Sequence, residues 1–110
     1  MKYALTIWHG GEHAESPQEI DAWPEHKAWM EDLLARAVYH GGARLRPSAT
    51  TKVQVRGGET LVSDGPYAET KDLIGGFLVV ECDNLDDAIE IASRHPFAKF
   101  GTVEVRPVWE

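Results

Sequence analysis

Two segments, 2–8 (KYALTIW) and 77–82 (FLVVEC), carry apolar side chains on both faces of an extended chain. Successive side chains of a strand point to opposite faces, so Leu5 and Ile7 share one face while Ala4 and Trp8 share the other. A strand that is apolar on both faces has to be covered on both. The chain has 110 residues, which fits one domain over 1–110 and leaves room for only a modest core. Helices can cover one sheet face. A second copy packed face to face is the simplest cover for the other, so a homodimer is expected.

The remaining segments supply those helices. Ser16-Pro17-Gln18-Glu19 has the layout of a helix start, with Ser as cap, Pro in the first turn and Glu three residues after the cap. Pro24 interrupts this segment, so a short helical turn followed by a longer helix over 24–40 is expected, ended by Gly41-Gly42. At roughly 100° per residue, Trp29, Met30, Leu33, Leu34 and Ala37 fall within about 80° of His26, which puts this histidine inside the apolar stripe. Two alternating runs, 51–56 and 59–63, flank Gly57-Gly58 and predict a hairpin. Asn84 or Asp83 caps a second helix over 85–95, with Leu85, Ala88, Ile89 and Ala92 at helical spacing and Pro96 as its stop. The last strand is 102–106. The order β-α-ββ-β-α-β predicts an α+β, ferredoxin-like βαβ-βαβ fold with an inserted β-hairpin.

Charge and cysteine usage narrow the classes of function. A formal net charge of −7 argues against a broad phosphate-binding surface, hence against nucleic acid as a partner, and against anionic membrane surfaces. The single cysteine, Cys82, excludes an intramolecular disulfide and points to a reducing, cytoplasmic setting. No apolar run reaches membrane-spanning length. Five histidines raise the question of a metal, but none forms an HxH, HxxxH or HExxH pair on one regular element, so no metal site and no cofactor are expected.

Asp64 heads the candidate site residues. It stands before a Gly-Pro turn, where a carboxylate can accept a proton, although aspartate also starts such turns through its own backbone bonds. Glu69 and Lys71 share a face if the chain is extended, and with Tyr67 they are the expected ligand contacts beside it. His26 is the second catalytic candidate, as a general acid or base, against the plainer reading of a neutral core histidine. Cys82 reads as a small core residue.

Four stretches resemble the YCII-related family, in its DGPF-domain branch: the opening MKYALTIW, then SDGPYAETK (63–71) followed by Gly75-Gly76-Phe77, then Leu85-Asp86-Asp87-Ala88, and VEVRPV (103–108). The resemblance spans nearly the whole chain and implies a dimeric α/β-barrel assembly of ferredoxin-like chains. Some relatives are associated with extracytoplasmic-function sigma factors, which implies a regulatory partner of that kind. In YciI-like relatives a histidine of the first long helix pairs with an aspartate that precedes Pro-Phe after the second helix. His26 in EHKAWMEDLL matches the first; the second position holds His95 in HPF. Three functions follow as expectations. The first is a homodimeric small-molecule-binding or regulatory module with its pocket near the DGPY turn. The second is a small enzyme using Asp64, with or without His26, for acid–base chemistry. The third is a protein-interaction domain linked to transcription.

Overall fold

A computed structural model describes residues 1–10, 16–46, 50–64 and 72–110. The elements are β1 (Lys2–Gly10), α1 (Pro17–Ala22), α2 (Pro24–Ala35), β2 (Tyr39–Arg44), β3 (Thr51–Arg56), β4 (Glu59–Asp64), β5 (Asp72–Glu81), α3 (Leu85–Ser93), a 3-10 turn (Pro96–Lys99) and β6 (Thr102–Pro107). Strands β2, β5, β1 and β6 form one antiparallel sheet in that order, and β3 and β4 form a two-stranded sheet of their own. The four-stranded order, with α2 between β1 and β2 and α3 between β5 and β6, is ferredoxin-like, and the hairpin is an insertion as the sequence suggested.

The second strand of the main sheet is a correction. The segment expected to end a helix running to residue 40 is β2: α2 stops at Ala35 and the chain reverses into the sheet. The stop is a Schellman motif, in which Val38 N–H donates to Leu33 O and Ala37 N–H to Leu34 O, each at 3.2 Å. Ala37 takes the left-handed conformation (φ 55°) that glycine usually supplies, at a cost of about 1 kcal/mol. His40 consequently sits on β2, 3.1 Å from Glu81 of β5, and not at a helix end.

Leu5, Tyr3, Leu78 and Val80 face Trp29 and Leu33 of α2 and Ala88, Ile91 and Ala92 of α3, and these residues make the core. Trp29 Nε1–H donates to Ile91 O at 2.8 Å, so its polar atom is satisfied inside the core. The buried stripe of α2 is narrower than expected, because Leu34 and Ala37 are exposed. On α3 the buried face turns toward Ile91, and Leu85 and Ile89 are exposed. Both helix starts follow the sequence. Ser16 Oγ and the Glu19 side chain form a capping box, and Asn84 Oδ1 accepts from Asp87 N–H at 2.9 Å. Cys82 packs beside the core, where burial first and the nearby Asp87 second push its thiol pKa up, as suits an inert side chain.

The opposite sheet face carries Thr6, Trp8, Phe77 and Glu104. Trp8 Nε1–H donates to Thr6 Oγ1 and the Thr6 hydroxyl donates to Glu104 Oε1, both at 3.0 Å, while Phe77 is exposed. No described helix is long and apolar enough to cross a membrane.

Candidate functional site

A cleft of about 360 Å³ opens where α1, α2, β2 and the turn after α3 meet the centre of the sheet. Its lining includes Asp21 from α1, His26 from α2, Tyr39 and Arg44 from β2, and His95 from the residue before the 3-10 turn. Trp29, Met30, Ile7 and Phe97 supply apolar wall. Such a mixture of apolar lining and a few convergent polar groups is typical of small-molecule sites.

Local sequence explains how each side chain gets there. Pro24 starts α2 immediately after α1, which sets His26 one turn into the new helix with its ring 6.2 Å from Trp29. Gly42 lets β2 approach β5 closely, since a Cβ there would lie 2.3 Å from Phe77 O. That approach carries Arg44 to the cleft rim, where its guanidinium binds the Asp21 carboxylate bidentately. His95 is fixed by Phe97, whose backbone N–H donates to His95 Nδ1 at 3.1 Å. A bulge at Gly75 re-aims the end of β1, and the missing side chain makes room for the buried His9 ring. His9, Phe97, His95 and His26 then stand in a file, with successive ring centroids 5.3, 5.6 and 5.7 Å apart.

The electrostatics follow from burial. Only 5% of His95 and 7% of His26 is accessible. Burial pushes His95 down to about 4, with His26 and Arg44 adding repulsion. Burial likewise lowers His26, reinforced by Arg44 and partly offset by Asp21, whose Oδ1 lies 3.8 Å from His26 Nδ1. The Arg44 hydrogen bond holds the Asp21 carboxyl below its ordinary range. Both imidazoles are therefore neutral at pH 7, able to give or take a hydrogen bond but carrying no charge.

Of the residues singled out from the sequence, His26 lines this cleft. Asp64 does not: it is the exposed last residue of β4, paired in register with Thr51. Tyr67, Glu69 and Lys71 lie outside the described residues. Asp21 and Arg44 drew no attention in the sequence. Their signal was weak, because only the pairing of β2 with β5 brings a residue of 39–44 beside α1. Among the described residues no group of three or more His, Cys, Asp or Glu side chains is arranged to hold a metal ion.

Comparison with known proteins agrees with this architecture. The model of the YCII-related domain matches residues 1–110. The chain belongs to the YCII-related family. A curated relative within reach of this YCII-related chain, the uncharacterized protein R00369 of Rhizobium meliloti (strain 1021), is 42% identical over 118 residues, covering 98% of this chain and 92% of that one. Among solved structures, 5-chloro-2-hydroxyhydroquinone dehydrochlorinase from Burkholderia phenoliruptrix AC1100, in complex with 2,5-dihydroxybenzoquinone, superposes with a TM-score of 0.56. It covers 100% of the YCII-related chain and 94% of its own at 20% identity, a likeness of fold.

Proposed function

We propose that this protein is a small-molecule-binding module whose site is the cleft between α1, α2, β2 and the turn after α3. The observation that carries this reading is the convergence of two buried neutral imidazoles and an Arg44–Asp21 ion pair on one apolar cavity. Core packing alone gives no reason to gather four polar side chains from four separate elements. A thermal-shift screen of a metabolite library tests it. A ligand present at 100 times its dissociation constant stabilises by about 2.7 kcal/mol, an upward shift of roughly 10 °C for a domain of this size. The same ligand is expected to bind His26→Gln about tenfold more weakly, the size of one hydrogen bond to a buried partner. A hit insensitive to substitutions at His26 and Arg44 places the site elsewhere, and the stretch from Asp64 to Lys71 is then the next region to test.

A second reading, a small enzyme, is favoured by the proximity of His26 to Asp21 and by the neutral state of its ring, which suits a general base. The dehydrochlorinase neighbour shares the fold and is consistent with such a use of it, without specifying a reaction for this chain.

We also propose that the protein works as a homodimer in a reducing, cytoplasmic setting. Two apolar surfaces support the dimer. Phe77 and Trp8 lie on the sheet face opposite the helices. Val53, Val55 and Val62 share one face of the hairpin and are all exposed. A two-stranded hairpin is marginal by itself, so a covering partner has a structural purpose. An isologous second copy covers both surfaces at once in the dimeric α/β-barrel arrangement. Sedimentation at micromolar concentration is expected to show a dimer, and Phe77→Lys to raise its dissociation constant about 100-fold by stranding a charge in the interface. A wild-type monomer under those conditions defeats the dimer proposal.

A further inference from the structure

His95 is buried, and among the described residues one of its ring nitrogens has a hydrogen-bond partner while the other has none. A backbone N–H can only donate, so Nδ1, which receives the Phe97 N–H, must be the unprotonated nitrogen. The proton of the neutral ring is consequently on Nε2. Among the described residues, no hydrogen bond is made by Nε2; the rings of Trp29, Phe97 and His26 stand with centroids 4.8, 5.6 and 5.7 Å from the imidazole. The residue is 5% exposed and lines the cleft. Buried donors are rarely left without a partner, because a group removed from water loses its hydrogen bonds unless something replaces them.

We infer that His95 is a neutral hydrogen-bond donor of fixed tautomer, and that the cleft takes a small, largely apolar molecule presenting an acceptor oxygen, a carbonyl or carboxylate, to His95 Nε2–H. This deepens the binding-site reading and rests on it. The polarity of the position sets the class. A carboxylate at residue 95 would also cap the Phe97 N–H, but would offer only acceptors to a ligand. The imidazole offers a donor there instead. Arg44 lines the same cleft, its guanidinium paired with Asp21. The low proton affinity of His95 keeps this donor neutral and its Nδ1 bond intact across the physiological range.

The test uses acetophenone and α-methylstyrene, which have nearly the same shape and differ in a carbonyl oxygen against a methylene. Side-chain 15N–1H correlation spectra of the full-length, 15N-labelled protein read both the tautomer and the binding. In the free protein His95 is expected to show a proton-bearing Nε2 and a bare Nδ1. Acetophenone is expected to move the Nε2–H resonance and to bind about tenfold more tightly than α-methylstyrene, the effect of one hydrogen bond to an otherwise unpaired buried donor. His95→Asp, which keeps the cap on Phe97, is expected to abolish that preference. His95→Asn serves in its place if the aspartate variant fails to fold, with a reduced preference expected from its shorter side chain. An Nδ1–H tautomer in the free protein overturns the inference. So does equal binding of the two probes at the cleft, which leaves the binding site itself standing. If neither probe moves any resonance of His26 or His95 at millimolar concentration, both the inference and the binding-site reading fall.

Discussion

Gly42→Ala is expected to lower the melting temperature by roughly 15 °C, a loss of about 3 kcal/mol in a domain of this size. The added methyl would lie 2.3 Å from Phe77 O and 2.7 Å from Leu78 Cα. Neither atom can move away by a change of rotamer, because both belong to the backbone of β5, the inner neighbour of β2 in the sheet. Relief requires β2 to shift away from β5, and the register over Gly42, Ala43 and Arg44 shifts with it. The neighbouring Gly41→Ala is the control. Its Cβ would meet nothing within 4 Å, so only its positive φ of 102° opposes the change, at about 1 to 2 kcal/mol. The two variants also part in function. Displacing β2 moves Arg44 away from Asp21, so Gly42→Ala should weaken cleft ligands even where the protein remains folded. Differential scanning calorimetry of both variants decides the first point. Gly42→Ala melting with the wild type would mean that β2 does not approach β5 as described.

The same glycine shows why part of the fold was hidden in the sequence. Strands β1 and β5 announce themselves through their apolar runs, and the hairpin through alternation around Gly57-Gly58, both of which take positive φ in the turn. The capping box and the Asn84 cap are local signals, satisfied within three residues. Strand β2 has none of these marks. Tyr39-His40-Gly41-Gly42-Ala43-Arg44 holds two glycines and no β-branched residue, and glycine pairs after a helical pattern usually end a helix. It is a strand because β5 provides a ladder and Gly42 removes the obstacle to pairing, a tertiary cause that a local reading does not weigh. The site was hidden for the same reason. His26 was visible through its place on an apolar stripe. Arg44 and Asp21 become neighbours only through β2, 23 residues apart in the chain. His95 was noticed where relatives carry an aspartate, yet its role depends on one backbone hydrogen bond that composition does not reveal.

Acidification from pH 6.5 to 4 is expected to remove about 3 kcal/mol of stability through His95 alone. Its folded-state value of about 4 lies below the 6.5 of an exposed histidine. Between those two values the unfolded chain binds a proton that the folded chain refuses. The unfolded state therefore holds more protons, and stability rises with pH across this window, by as much as about 1.4 kcal/mol per pH unit. The contribution is complete above pH 6.5, declines as pH falls, and is fully lost below about 4, where both states are protonated. His26, also lowered, acts in the same direction. The carboxylates work at lower pH. Asp21, held down by Arg44, and Glu104, held down by the Thr6 hydroxyl, contribute stability that starts to fall as pH drops through the ordinary carboxylate range and is fully lost below their lowered folded values. Among the described residues, the groups that act on His95, His26 from α2 and Arg44 from β2, both oppose a charge on it, and Asp21, the carboxylate beside His26, is bound to Arg44. Denaturant titrations at half-unit pH intervals measure the slope. His95→Asn keeps an acceptor for the Phe97 N–H and removes the titration. Its stability should therefore vary by about 3 kcal/mol less than that of the wild type between pH 6.5 and 4. The comparison is of slopes, so any cost of the substitution at neutral pH cancels. Equal slopes would mean that His95 accepts a proton in the folded state, which would free Phe97 N–H from its acceptor and remove the basis for a fixed tautomer in the cleft.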